Sequence, residues 1–184
     1  MRNFKLLFLS LFLSFAVSCS SSDDNTQEQE QEQENNPSIV GTWKIINMET
    51  LINSTTTTPQ GNTSESTSNG DASNLNVFVT FTENPNNSTS TGTYSLELTT
   101  DYGNGQIVTQ TFDDLTFNNF VGEWDLSENQ LTISTPLNNT VNATVNLLNE
   151  TTLSYNSVVE EAFTDSNNNN IVNIITQNII YNRQ

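Results

Sequence analysis

Apolar residues in this chain come in short runs that alternate with polar ones, and after residue 38 the alternation has a period close to two. In the run from Ile39 to Thr50, an extended backbone projects Trp43 and Ile45 to one face and Thr42, Lys44, Ile46 and Met48 to the other. Leu75, Val77, Val79 and Phe81 share a face in the next run, with Phe78 interrupting. Tyr94, Leu96 and Leu98 repeat the pattern against Thr93, Ser95, Glu97 and Thr99. The polar stretch between these runs, Glu83 to Gly92, predicts a turn, and Gly103-Asn104-Gly105 predicts a tight connection to a strand over 106–112. Val121 to Leu126 and Leu131 to Ser134 flank Ser127-Glu128-Asn129 and predict a compact hairpin, with Phe117, Phe120, Trp124 and Leu126 as core candidates. Val141, Ala143, Val145 and Leu147 alternate most cleanly of all. Leu153, Tyr155, Ser157 and Val159 open another strand, and Ile171 to Tyr181, apolar on both sides, predicts a well-covered last one.

Nine candidate strands thus follow Pro37, with no amphipathic helix between them. The fold class is all-β, an antiparallel meander whose closure into a barrel removes the exposed edges of a lone sheet; a β-sandwich is the alternative. One stretch breaks the pattern. Asn53 to Asn74 is polar throughout, with Ala72 as its aliphatic exception, and predicts a disordered insertion within a domain spanning 39–184.

The leader has a different grammar. Arg2 and Lys5 precede an apolar run from Leu6 to Val17, too short to span a bilayer as a mature helix, which makes 1–18 a secretory signal. Ala16-Val17-Ser18-Cys19 resembles a bacterial lipobox, in which the sole cysteine, Cys19, becomes the lipidated first residue. Ser20-Ser21-Ser22-Asp23-Asp24 is similar to the export tag of surface lipoproteins in the Bacteroidetes. The alternating Glu and Gln of 28–34 repel one another and have nothing to bury, so 19–38 reads as a lipidated, acidic, disordered tether. The expected location is the outer membrane, held through lipid on Cys19 and facing the periplasm or the cell surface.

Charge narrows the function. Four basic residues against 21 acidic give a net charge of −17, which repels phosphate backbones and excludes nucleic acid as a partner. With no His and one Cys, the chain has no material for Ser-His or Cys-His catalysis, His-based metal sites or a disulfide scaffold. Asp113-Asp114 and Glu160-Glu161 remain as acids for catalysis, but neighbours on a strand face opposite sides. The loop from Asp165 to Asn170 offers oxygens at alternate positions, as calcium loops do, without their turn Gly or downstream acid. No enzyme, metal or cofactor is expected.

Gly41-Thr42-Trp43, opening an all-β region, resembles the Gly-X-Trp start of the lipocalin-like families. With its leader, the whole chain resembles a lipocalin-like domain lipoprotein of the Bacteroidetes type. The resemblance implies a monomeric barrel of about eight strands over Ser38 to Gln184, with a long first loop as a lid. It also implies that Trp43 packs under Arg183 beside Gly41 to close the base. Function follows as an expectation: a small apolar ligand held without catalysis, with Phe81, Tyr94, Leu96 and Trp124 as lining. The competing reading is a filled core and a non-catalytic cell-envelope interaction module that binds a glycan or a protein.

Overall fold

The computed structural model describes residues 37–118, 120–135 and 140–184; the expected signal peptide, Cys19 and the tether up to residue 36 lie outside the described residues. Nine strands follow one another: β1 (Gly41–Thr57), β2 (Thr63–Thr82), β3 (Asn87–Asp101), β4 (Ile107–Thr116), β5 (Gly122–Ser127), β6 (Gln130–Ser134), β7 (Thr140–Leu148), β8 (Thr152–Thr164) and β9 (Asn170–Arg183). They form one antiparallel sheet in the order β2-β1-β9-β8-β7-β6-β5-β3-β4, and a further β2–β3 pairing closes eight of them into a ring. The ninth, β4, hangs on β3. We call the end with the β2–β3, β5–β6 and β7–β8 turns the base, and the end with the β1–β2, β3–β4 and β8–β9 turns the open end.

Register corrects several expectations. The supposed disordered insertion is strand: 53–57 continue β1, a short turn follows, and Thr63–Asn74 belong to β2. Thr is β-branched and suits a pleated strand, and this stretch is flanked by β9 and β3, which satisfy its backbone groups. Hydroxyls and amides bridge neighbouring strands, with Ser68 Oγ 2.8 Å from Thr100 Oγ1 and Ser54 donating to Asn173 at 2.8 Å. Such opposed pairs each contribute about 0.2–1 kcal/mol. The turn after β2 is shorter than expected, since β3 begins at Asn87.

Bulges account for two reversed side chains. The β1–β9 register slips between Ile45 and Asn47, so Met48 turns inward to 1% exposure while Ile46 faces out. A second slip between Val145 and Leu147 leaves Leu147 exposed, against its expected inward place. The last strand is less covered than its composition implies. Its inner residues Ile179 and Tyr181 are buried, but Ile174 lies on the opposite face and is exposed.

The base is closed by Gly41 and Trp43 at the start of β1 and Arg183 at the end of β9. Trp43 pairs with Arg183 across β1 and β9, and the guanidinium carbon lies 4.2 Å from the indole centroid. Arg183 also donates to the carbonyls of Val40 (2.9 Å) and Ser38, while the indole N–H donates to Ile39 O at 2.7 Å. The entering chain and the last strand are thereby tied together. Gly41 adopts φ +139°, and a Cβ there would meet Arg183 Nη1 at 2.8 Å. Only a residue without a side chain lets the guanidinium settle over the ring.

Above this closure the interior is filled. Trp43, Ile45, Met48, Phe81, Leu131, Ile133, Leu153 and Ile179 are all buried, each contributing about 1.5–3 kcal/mol through removal from water. The connection from β4 to β5 adds an aromatic plug: Phe117 and Phe120 stack at 5.7 Å and Phe120 leans on Tyr155 at 4.7 Å. Ser88 donates to Phe120 O at 2.8 Å and Ser90 to Phe117 O, which pins the plug to β3. Tyr155 and Tyr181, both fully buried, join hydroxyl to hydroxyl inside the ring.

Two predictions follow from this interior. Arg183→Ala and Gly41→Ala each lower the unfolding free energy by about 1–3 kcal/mol, through loss or displacement of the cation–π contact and its carbonyl hydrogen bonds; urea titration checks this, and an unchanged midpoint would refute the closure. For the tyrosines, burial raises both phenol pKa values above the ordinary 10.0, with the charge and hydrogen bond of Tyr181 adding to the rise at Tyr155. The folded state therefore holds these protons more tightly than the unfolded chain. The contribution of these two groups to stability is fully present below pH 10 and is lost as pH rises beyond it. Tyr181→Phe strands the Tyr155 hydroxyl at a cost of about 1–3 kcal/mol, whereas the Tyr155→Phe/Tyr181→Phe double variant recovers much of that loss and moves alkaline unfolding to higher pH.

Candidate functional site

Among the described residues, the ring is complete only at its base. Strand β5 pairs with β3 at just Asn87 and Ser88, and the β7–β8 ladder ends at Ala143–Ser157. Beyond that height six strands continue, in the order β4-β3-β2-β1-β9-β8, towards the open end. Among the described residues, the outer side of β4 and the β7-facing side of β8 over Val158–Thr164 have no pairing partner.

Side-chain parity identifies the face of this extension that is continuous with the packed interior. Opposed residues in an antiparallel ladder share a face. From Met48 opposite Ile179, the inner series runs through Thr50 opposite Gly70 and Gln177, then Ile52 opposite Ser68 and Ile175. It continues to Leu98 and Leu96 on β3, Phe112 and Val108 on β4, and Val159, Glu161 and Phe163 on β8. The centre is built of small side chains, Gly70, Ser68, Ser66 and Ser64 on β2. The wings carry large apolar ones, each row interrupted by one polar side chain, Gln110 between Phe112 and Val108 and Glu161 between Val159 and Phe163. The surface is a trough with a low floor and apolar walls, and its wing residues Phe112 and Phe163 remain 40% and 49% exposed.

A polar row marks where the filled interior gives way to the trough. Thr50, Gln177 and Ser157 sit side by side on β1, β9 and β8 and are buried. Gln177 Nε2 donates to Thr50 Oγ1 at 3.4 Å, but Ser157 Oγ, in a residue 1% exposed, has no hydrogen-bond partner. An unpaired buried hydroxyl costs about 1–3 kcal/mol. It stands at the last residue of β8 that pairs with β7.

The expected lining residues separate. Phe81 is 1% exposed and packs edge-to-face against Trp124 at 6.0 Å, as part of the packed core rather than of the trough. Trp124 is itself tied down, its indole N–H donating to Thr82 O at 3.0 Å near the base. Tyr94 and Leu96 lie on the inner face of β3; Tyr94 is half-buried, which raises its phenol pKa, and Leu96 stands opposite Ala72 and Phe112. Gly41, Trp43 and Arg183 come together at the base, away from the trough. The side chains that sequence reasoning missed as lining are Ile52, Ile175, Leu98, Phe112, Val159 and Phe163. Their period-two spacing was visible in part, but the polar strands that place them in one surface were read as a loop.

Two other candidate features resolve differently. A shallow groove of about 400 Å³ at the base is lined by Pro37, Leu126, Val145 and Leu148 among others, where the chain enters the domain. In the β8–β9 turn, Asp165 accepts hydrogen bonds from the backbone N–H groups of Asn167 (2.8 Å) and Asn169 (2.9 Å) and from the Asn169 side chain (2.9 Å). Those bonds make the loop a self-satisfied turn. Among the described residues, no group of three or more Asp, Glu, Cys or His side chains gathers as a metal site would require.

The Asn169 backbone bond first, then the Asn169 side chain, with a smaller part from Asn167, lowers the Asp165 pKa below the usual 3.8. The ordering it provides is present above that value and is lost as pH falls through the lowered one. The amide resonances of Asn167 and Asn169 are expected to titrate together with a midpoint below 3.8 and to stop titrating in Asp165→Asn; a midpoint at or above 3.8 would contradict the turn geometry. In comparison with known proteins, the chain matches no family, no curated protein and no solved structure.

Proposed function

We propose that this protein is a non-catalytic binding module, tethered to the outer membrane through lipid on Cys19, whose recognition surface is the trough at the open end. The observation that supports this is the contrast along the ring: bulky side chains fill its base half, while large apolar side chains on the same face stay solvent-exposed where β5, β6 and β7 are absent. Exposed apolar surface on a chain this acidic is the kind that marks a site of interaction. The described chain enters the domain at the base, the end opposite the trough. A second reading, a small apolar ligand lying in the trough, is favoured by the contiguity of Ile52, Ile175 and Val159 across three strands. A ligand enclosed in the base half would have to displace the aromatic plug.

The test uses the unlipidated Cys19→Ser chain and a neutral fluorescent hydrophobic probe. Saturable binding is expected, weakened about tenfold by Phe112→Asp with Phe163→Asp, and unaltered by Leu147→Ala, whose side chain is exposed beside the base groove. Binding that follows Leu147 instead, or ignores both phenylalanines, would refute the trough as the recognition surface.

A further inference from the structure

We infer that the trough is completed by an extended cationic polypeptide, a β-hairpin of alternating apolar and basic residues that occupies two strand positions missing between β4 and β8; this rests on the reading of the trough as the recognition surface. The number of missing positions comes from topology. At the base, the path from β3 to β8 runs through β5, β6 and β7. Towards the open end, β4 takes the β5 position on β3, and no described strand stands in for β6 or β7. If the ring keeps its cross-section, the interval from β4 to β8 is three strand steps, about 14 Å, room for two strands.

Both borders of that interval are unpaired among the described residues, over Ile107–Thr116 and Val158–Thr164. Alternate N–H and C=O groups along each strand therefore face the gap, as a template for strand addition. A hairpin can satisfy the two borders with its two outer sides, while its inward side chains pack on Leu98, Phe112, Val159 and Phe163. The orphan hydroxyl of Ser157 lies on the inner face at the residue where the existing ladder stops.

Charge selects the occupant. Each open border carries an acidic pair, Asp113-Asp114 on β4 and Glu160-Glu161 on β8. The basic residues among those described, Lys44 and Arg183, are both at the base. A second copy of the chain would set like charges against these borders, and the Glu-rich segment at 28–34 would do the same. A strand bearing Lys or Arg at alternate, outward positions complements Glu160, which takes the outer face of β8 while Glu161 takes the inner one.

The experiment titrates the Cys19→Ser chain with a synthetic hairpin of alternating Val and Lys, its Val/Glu counterpart, and a Val/Lys analogue N-methylated on the outward amides. Fluorescence anisotropy gives the affinity and hydrogen exchange locates the contact. The Val/Lys hairpin is expected to bind and to slow exchange across both 107–116 and 158–164. N-methylation and Glu160→Gln/Glu161→Gln should each weaken it about tenfold, and the Val/Glu hairpin should not bind. Equal binding of the N-methylated analogue, or binding that protects neither border, would overturn the inference. Retained binding of the neutral probe without hairpin binding defeats this inference alone and leaves the trough as a site for something else; loss of both defeats both. Self-association that protects the two borders would assign them to a second copy and equally overturn a cationic partner.

Discussion

The structure depends on how one edge of β3 is shared. Its first residues, Asn87 and Ser88, pair with β5, and the stretch from Thr93 to Asp101 pairs with β4. Each backbone edge can serve one neighbour at a given height. The chain therefore descends along β3 in two pieces, and between them it leaves the sheet and inserts Phe117 and Phe120 into the interior. Gly122 is where it re-enters, at φ +149°, so close to the partner strand that a Cβ would sit 2.0 Å from Ser134 O. Closure of the ring at the base, its aromatic filling and the gap above all follow from this division.

The two halves are stabilised by different physics. At the base, apolar burial dominates and the cation–π contact between Arg183 and Trp43 joins the first and last strands through residues 140 apart in sequence. Towards the open end, little is buried and the ladder itself, with Thr, Ser and Asn bridges across strands, holds the sheet. A sheet with neither face covered is ordinarily marginal. Here it is an outgrowth of strands already registered by the core below. Bulges at Ile46, near Asn74 and at Asp113-Asp114 adjust that register so that the inner face stays continuous over its length.

Unpaired edges invite association, and acidic side chains on both borders discourage like-with-like pairing. The described cations are taken up by packing at the base, Arg183 over Trp43 and Lys44 at 5.8 Å over Phe78, so the open end carries acids without them. Apolar walls, small-residue floor, free borders and acidic rims converge on one end of the domain. Nothing comparable gathers at the base, where the shallow groove is bordered by the entering chain.

Much of this was present in the primary sequence. Period-two alternation places Val77, Val79 and Phe81, or Leu153 and Tyr155, because a strand's side-chain directions are local geometry, and the Gly41-Thr42-Trp43 start with Arg183 near the end was enough to suggest where closure would occur. The strand identity of 53–74 was not legible, since a polar segment has no hydrophobic period to display and becomes a strand only when neighbours supply hydrogen bonds. Phe81 and Trp124 could not be told from ligand-lining residues, because alternation says which face a side chain takes and nothing about what stands opposite. Bulges reversed Met48 and Leu147 for a related reason: one extra residue inverts parity, and its position is set by the partner strand. Sequence alone thus determined the class, the direction of most side chains and the charge; the tertiary pairing of β3 with three neighbours decided which half of the ring is solid and which half stands open, since that depends on contacts between residues that no local pattern relates.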